Sequence, residues 1–133
     1  MRRPGVAAKL REVIRCLIVD DNAPFLDAAT RLLERDAVAV VGTARTVEQA
    51  LRRTRELQPD AVLVDIMLGD ESGFEVARRI AENGLDTAVI LISTHAEADL
   101  AELIDESPAA GFVSKSQLSA ATVRGLVTER RDM

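Results

Sequence analysis

The chain has 133 residues, which is the length of one ordinary domain. Hydrophobic residues make up 47% and charged residues 29%, which excludes a disordered chain, and no apolar run approaches the roughly 18 residues that a membrane helix needs. The net charge of −5 argues against direct nucleic-acid binding, and the single cysteine, Cys16, excludes an internal disulfide and a cysteine-based metal site. We therefore expect a cytoplasmic, single-domain protein that does not enter membranes.

Short apolar segments alternate with helical patterns along the chain. Five segments rich in Val, Ile and Leu are typical of strands buried on both faces: residues 14–19, 38–41, 61–64, 88–92 and 111–113. Apolar residues then recur at helical spacing in stripes that begin at Phe25, Val47, Phe74, Leu100 and Leu118. This alternation predicts an α/β fold, a (βα)5 doubly wound parallel sheet. We place the domain at residues 13–130, after a flexible lead-in of residues 1–12.

Polar residues follow four of the five predicted strands. They are Asp20 and Asp21 after the first strand, Asp65 after the third, Ser93 and Thr94 after the fourth, and Lys115 after the fifth. The carboxyl ends of parallel strands share one edge of the sheet, which is where such sheets bind ligands. We therefore expect three carboxylates, one or two hydroxyls and one ammonium to meet in a small region.

The charge balance of this region predicts a metal-dependent reaction with phosphate. Three neighbouring carboxylates repel one another unless a cation joins them, and a site of carboxylate oxygens suits Mg²⁺, which often shares a phosphate with its protein ligands. Asp65 is the expected nucleophile, because an aspartate can form an acyl phosphate. Lys115 and Ser93 would then bind the phosphoryl oxygens. The pattern indicates Mg²⁺-dependent phosphoryl transfer onto Asp65.

With these residues the sequence resembles the receiver domain of bacterial two-component response regulators. The resemblance covers about residues 14–128 and rests on Asp20, Asp21, Asp65, Ser93 and the segment 112–115. The intervals also match, with 44 positions from Asp21 to Asp65 and 22 from Ser93 to Lys115. The resemblance implies a flavodoxin-like sheet with strand order 2-1-3-4-5.

The resemblance also implies the roles of the site residues. A histidine kinase or a phosphotransfer protein would donate a phosphoryl group to Asp65, while Asp20, Asp21, Asp65 and the backbone carbonyl of Met67 would hold Mg²⁺. Ser93, Thr94 and Phe112 would form the switch. Their movement would remodel the face made by the fourth helix, fifth strand and fifth helix, which would bind a downstream protein or a second copy of the chain. Such a receiver is a signalling protein that catalyses only its own phosphorylation and dephosphorylation.

The chain departs from the family pattern without losing a reactive group. Ser116 stands where proline is usual after the lysine, Thr94 where a smaller residue is common, Gly69 where proline is common, and Phe112 where many members have tyrosine. We expect the Lys115–Ser116 peptide bond to be trans, because a cis bond before a residue other than proline costs about 2.5–4 kcal/mol. We expect the Phe112 ring, which lacks a hydroxyl, to lie inward at least part of the time.

Other interpretations of single residues are open at this point. Asp20 and Asp21 could cap a helix, Asp65 could be a turn residue, Phe112 could be a plain core residue, and His95 suits a loop better than a metal site. Cys16 suits a small buried hydrophobic residue.

The whole chain also has alternatives to a phosphorylated receiver. They are a Mg²⁺-dependent phosphohydrolase, an interaction module that needs no phosphorylation, and a flavodoxin-like cofactor binder, whose phosphate the acidic pair would repel. Only 18 residues follow Lys115, so we expect no attached output domain unless the chain is a fragment.

Overall fold

A five-stranded parallel sheet forms the centre of the molecule. The computed structural model describes residues 13–132, so the lead-in predicted for residues 1–12 lies outside the described residues. The strands are β1 (Ile14–Val19), β2 (Val38–Ala44), β3 (Ala61–Asp65), β4 (Ala88–Ser93) and β5 (Gly111–Ser114). Their order is β2-β1-β3-β4-β5, and all neighbours are parallel. The predicted fold class and strand order are confirmed.

Within residues 13–132, five α-helices connect and flank these strands. They are α1 (Ala23–Glu34), α2 (Val47–Leu57), α3 (Gly73–Glu82), α4 (Ala101–Glu106) and α5 (Ala120–Arg131). A 3₁₀ turn, Glu97–Leu100, precedes α4, and another, Lys115–Gln117, follows β5. Between β3 and α3, Met67–Leu68 pairs with Glu71–Ser72 in a short antiparallel hairpin. The alternation of strands and helices agrees with the sequence pattern.

The core consists of two mainly aliphatic layers, one on each face of the sheet. On one face, strand residues such as Ile18 and Ile90 pack with α1 and α5. On the other face, strand residues such as Val62 and Leu91 pack with α2 and α3. Successive strand residues point to opposite faces, so both faces of the central strands need apolar side chains. Cys16 is fully buried in the first layer, as expected of a small hydrophobic residue.

Helix α4 is the least buried helix of the described chain. The apolar stripe predicted to begin at Leu100 is only partly correct, because Leu100 and Ile104 pack against the core whereas Leu103 is 52% exposed. The α-helix itself has only six residues and no fully buried side chain. Few apolar contacts hold it, which is the property expected of an element that changes position easily.

The start of α1 decides between two interpretations of the acidic pair. The N-cap of α1 is Asn22, whose side-chain oxygen accepts the N–H of Phe25 at 3.0 Å. Asp20 and Asp21 therefore lie before the helix and do not cap it. Their carboxylates remain available for the edge of the sheet.

Candidate functional site

Lys115 joins two aspartates at the carboxyl edge of the sheet. Its Nζ lies 2.6 Å from Oδ2 of Asp20 and 2.8 Å from Oδ2 of Asp65. Asp20 is fully buried, Asp65 is nearly so, and the Lys115 side chain is only 14% exposed. Residues from the ends of β1, β3 and β5 thus meet as the topology predicts.

Backbone donors fix the orientation of both buried carboxylates. Oδ1 of Asp20 accepts the N–H of Asn22 at 2.9 Å, and Oδ1 of Asp65 accepts the N–H of Met67 at 3.0 Å. Each carboxylate therefore has one oxygen on a main-chain donor and the other on the Lys115 ammonium. Such charge-assisted contacts are stronger than neutral hydrogen bonds, so the carboxylates are held in place before any reaction partner arrives.

The three acidic residues form a donor set that fits Mg²⁺. One carboxylate oxygen from each of Asp20, Asp21 and Asp65 lies within 4.8 Å of the other two. Asp21 is the exposed member of the set, so the group is open to solvent on one side. All the donors are hard oxygen atoms, the kind that Mg²⁺ prefers, and no histidine or cysteine belongs to the cluster.

Burial and charge act against each other at this site. Burial raises the pKa of Asp20, and the charge of Asp65 raises it further, although Lys115 and the N–H of Asn22 oppose both effects. Burial alone would lower the pKa of Lys115, but its hydrogen bonds to Asp20 and Asp65 and their charges raise it overall. Lys115 is therefore held in its protonated form. Additional positive charge would stabilise the ionised carboxylates.

Ser93 ends β4 beside the phosphoacceptor candidate. In the sheet, Asp65 is paired with Ile92, and Ser93 follows as the next residue, paired with Ser114. Ser93 is almost completely buried, whereas Thr94 is exposed. Of the two hydroxyls considered from the sequence, Ser93 is therefore the one enclosed at the strand end.

Phe112 lies between the core and an open cavity. Its ring is half-buried and packs against the core layer of α2 and α3. A cavity of about 350 Å³ lies beside it, lined by residues that include Ala96, Glu97, Gln117 and Thr122. The ring is thus neither fully exposed nor fully enclosed, and there is space next to it.

The comparison with known families identifies the kind of domain. The family described as the response regulator receiver domain matches residues 16–124. This chain belongs to that family. The receiver domain is similar to the response regulator GacA of Pseudomonas viridiflava, with 31% identity over 115 residues that cover 86% of this chain and 54% of GacA.

A longer relative and a solved structure are also similar to this chain. A protein-glutamate methylesterase/protein-glutamine glutaminase of Koribacter versatilis is 36% identical over 107 residues, which are 78% of this chain but 29% of that protein. The signal receiver domain of the response regulator NarL from Mycobacterium tuberculosis has a similar structure, with a TM-score of 0.81 and 29% identity over 88% of this chain and 98% of the other. The chain thus spans about half of the length of GacA and less than a third of the length of the methylesterase.

Two neighbours of the site in this receiver domain were not expected from the sequence. The Lys115 ammonium lies 4.3 Å from the centroid of the Phe25 ring, within cation–π distance. Arg45, after β2, donates from Nη2 to the backbone carbonyl of Asp21 at 2.8 Å. The sequence pattern places Phe25 only in the apolar stripe of α1. The one available signal was its position, four residues after Asp21 at the start of that helix.

The backbone after Lys115 follows the prediction. Residues 13–132 contain no cis peptide bond, so the Lys115–Ser116 bond is trans. Ser116 therefore replaces the usual proline without the cost of a cis bond.

Proposed function

We propose that this receiver domain accepts a phosphoryl group on Asp65 from the phosphohistidine of a histidine kinase or a phosphotransfer protein, in a Mg²⁺-dependent reaction. The observation that carries the proposal is the Lys115 ammonium between Asp20 and Asp65, with Asp21 beside them. A purely structural ion pair would need one carboxylate, whereas this site has three.

The metal would bind to residues that already face one another. Asp20, Asp21 and Asp65, together with the backbone carbonyl of Met67, would hold Mg²⁺, which would supply positive charge for the incoming phosphoryl oxygens. Arg45 keeps the main chain at Asp21 in place. The buried position of Asp20 excludes water from one side of the site.

The residues of the chain account for the transfer itself. An oxygen of the Asp65 carboxylate attacks phosphorus, and the bond between phosphorus and the histidine nitrogen breaks. The electron pair of that bond stays on the nitrogen, and because the other ring nitrogen of the phosphohistidine carries a proton, the donor is left as a neutral histidine. Lys115 then exchanges its contact with the Asp65 carboxylate for one with the phosphoryl oxygens, and the Ser93 hydroxyl donates to another of them. In a later hydrolysis, water would attack phosphorus from the side that the histidine occupied, the bond between phosphorus and the Asp65 oxygen would break, and the Asp65 carboxylate and inorganic phosphate would result.

The output would be a changed protein surface. Ser93 and Phe112 would move together, with Thr94 at the rim, and the cavity beside Phe112 gives the ring space to shift. The lightly packed α4 would respond, so the α4-β5-α5 face would bind a downstream protein or a second copy of the chain. This mechanism needs no further enzymatic activity, no nucleic acid and no membrane. We also propose that the protein acts in the cytoplasm.

Intact-protein mass spectrometry with a small phosphodonor tests the proposal. With acetyl phosphate and Mg²⁺, the wild-type protein should gain one phosphoryl group, and chelation of the metal should prevent the gain. Asp65→Asn should gain none, whereas Asp70→Asn, an exposed neighbour in the same loop, should behave as the wild type. Equal modification of wild type and Asp65→Asn would refute the assignment. Turnover of a phosphomonoester substrate would instead indicate a phosphohydrolase.

A further inference from the structure

The Ser93 hydroxyl contacts only one residue within the described hydrogen-bond network. Its Oγ accepts the backbone N–H of His95 at 2.9 Å and lies 3.4 Å from Nδ1 of the His95 ring. Ser93 is almost completely buried, while His95 is exposed. The loop after β4 therefore folds back so that an exposed imidazole reaches a buried hydroxyl.

The Ser93 hydroxyl can accept a hydrogen bond in one of these contacts and donate one in the other. The backbone N–H of His95 donates to a lone pair of Oγ, which leaves the Ser93 O–H free to donate. In the tautomer with the proton on Nε2, Nδ1 is an acceptor, and it lies 3.4 Å from Oγ. In that tautomer the Ser93 O–H can donate to the His95 ring.

We propose that the His95 ring acts as a latch, a positioning residue that holds the Ser93 hydroxyl in the unphosphorylated state. The inference rests on the proposed function. The latch opposes the phosphorylated state because it engages the Ser93 O–H that would otherwise donate to the phosphoryl group. A ligand shifts a two-state equilibrium only by its difference in affinity for the two states. The free energy needed to break the contact with His95 therefore reduces the stabilisation that the phosphoryl group gains from Ser93.

The His95→Ala variant isolates the ring contact. It keeps the backbone N–H that binds Ser93 and removes only the ring. A neutral hydrogen bond has a modest net effect, so loss of this one should strengthen binding of a phosphoryl mimic by about two- to tenfold. In His95→Asn the side-chain oxygen can take the place of Nδ1, so the conservative variant should restore the wild-type affinity.

Nuclear magnetic resonance of the imidazole tests the contact directly. His95 is the only histidine of the chain, so its ring nitrogens give one assignable set of signals. In buffer alkaline enough to keep an imidazole neutral, Ser93→Ala should shift the Nδ1 signal of the apo protein, and Mg²⁺ with beryllium trifluoride should produce a similar shift in the wild type. Ring signals that are identical in Ser93→Ala and wild type would overturn the latch.

Titration with beryllium trifluoride and Mg²⁺ then tests the consequence. Tighter binding by His95→Ala, wild-type affinity in His95→Asn and wild-type affinity in the control Glu56→Ala, an exposed residue of α2 away from this face, support the latch. Equal affinities for His95→Ala and wild type would overturn the latch alone and leave the phosphoacceptor site standing. Failure of every protein, including the wild type, to bind the mimic would overturn the proposed function and the latch with it.

Discussion

Gly73, the first residue of α3, lies directly against the main chain of Asp65. A Cβ atom at Gly73 would stand 2.1 Å from the carbonyl oxygen of Asp65 and 2.8 Å from its carbonyl carbon. The N–H of Gly73 also donates to the carbonyl of Ile66 at 2.7 Å. Since main-chain atoms of a central strand cannot move aside cheaply, this contact fixes the strand end from which the Asp65 side chain projects.

Gly73→Ala should therefore damage both the fold and the site. The added methyl group must displace β3 or α3, which should lower the free energy of unfolding by about 1–3 kcal/mol and slow phosphorylation of Asp65. Urea denaturation and the rate of mass gain with acetyl phosphate measure the two effects.

Gly125→Ala is the matched control for this substitution. Gly125 lies within α5, and a Cβ atom there would have no neighbour within 4 Å. Alanine favours a helix interior over glycine by roughly 0.5–1 kcal/mol, so this variant should be as stable as the wild type or more so. Equal behaviour of the two variants would show that the contact between Gly73 and Asp65 is unimportant.

Lys115→Met should reveal the repulsion that the ammonium offsets. Removing one partner from a buried ion pair typically costs about 3–5 kcal/mol, because the remaining charge stays buried without compensation. Here two carboxylates would remain, so we expect low stability without metal and partial recovery when Mg²⁺ is added. Thermal unfolding with and without Mg²⁺ measures this. In the wild type the Lys115 ammonium already offsets part of the carboxylate charge, so Mg²⁺ should raise its thermal stability less. A Lys115→Met protein as stable as the wild type without Mg²⁺ would contradict the electrostatic account.

Asp20 and Asp21 should be needed for metal binding. Isothermal titration with Mg²⁺ should show binding to the wild type and none to the Asp20→Ala/Asp21→Ala protein. Because the substitution also relieves repulsion among the three carboxylates, the metal-free variant should lose little stability. The matched pair Asp99→Ala/Asp105→Ala, two exposed acidic residues outside the cluster, controls for net charge. Unchanged Mg²⁺ affinity in the variant of the acidic pair would remove both residues from the metal site.

Cys16 should make stability depend on alkaline pH. Burial raises the pKa of its thiol from the ordinary value of 9.0 to about 12. Between these values the unfolded chain releases the thiol proton while the folded chain keeps it, so stability is unaffected below pH 9 and falls as pH rises above it. The slope from this one group is up to about 1.4 kcal/mol per pH unit.

A Cys16→Ala variant isolates the contribution of the thiol. It should be less stable than the wild type near neutral pH because it leaves a small cavity, but it lacks the ionisation of the thiol. The difference in free energy of unfolding between the two proteins should therefore narrow above pH 9. A constant difference across that range would contradict the proposed effect of burial.

The order of the elements and the meeting of the acidic residues with Lys115 could be predicted from the sequence. Both follow from rules that act along the chain: buried parallel strands are short apolar runs, and their carboxyl ends share one edge. The end of β2 could not be predicted, because Gly42 and Thr43 continue the strand without an apolar pattern. They pair with Leu17 and Ile18 of β1, and that pairing is a long-range contact.

The parts of the site that the sequence did not reveal also depend on long-range contacts. The contact between Phe25 and Lys115 joins residues 90 positions apart, and that between Arg45 and Asp21 joins two different loops. No local pattern distinguishes Phe25 from an ordinary core residue or Arg45 from the other surface arginines. The exposure of Leu103 has the same origin, because helical spacing predicts a stripe but not how closely the helix packs.

The chemical identity of the phosphorylated residue tests phosphoryl transfer onto Asp65 most directly. The receiver domain should be incubated with acetyl phosphate and Mg²⁺, treated with hydroxylamine to convert an acyl phosphate into a hydroxamate, digested, and mapped by peptide mass spectrometry. We expect one hydroxamate, at Asp65, that is absent when Mg²⁺ is chelated. A hydroxamate at Asp20, Asp21 or another carboxylate, or modification of Asp65 that does not depend on the metal, would contradict it.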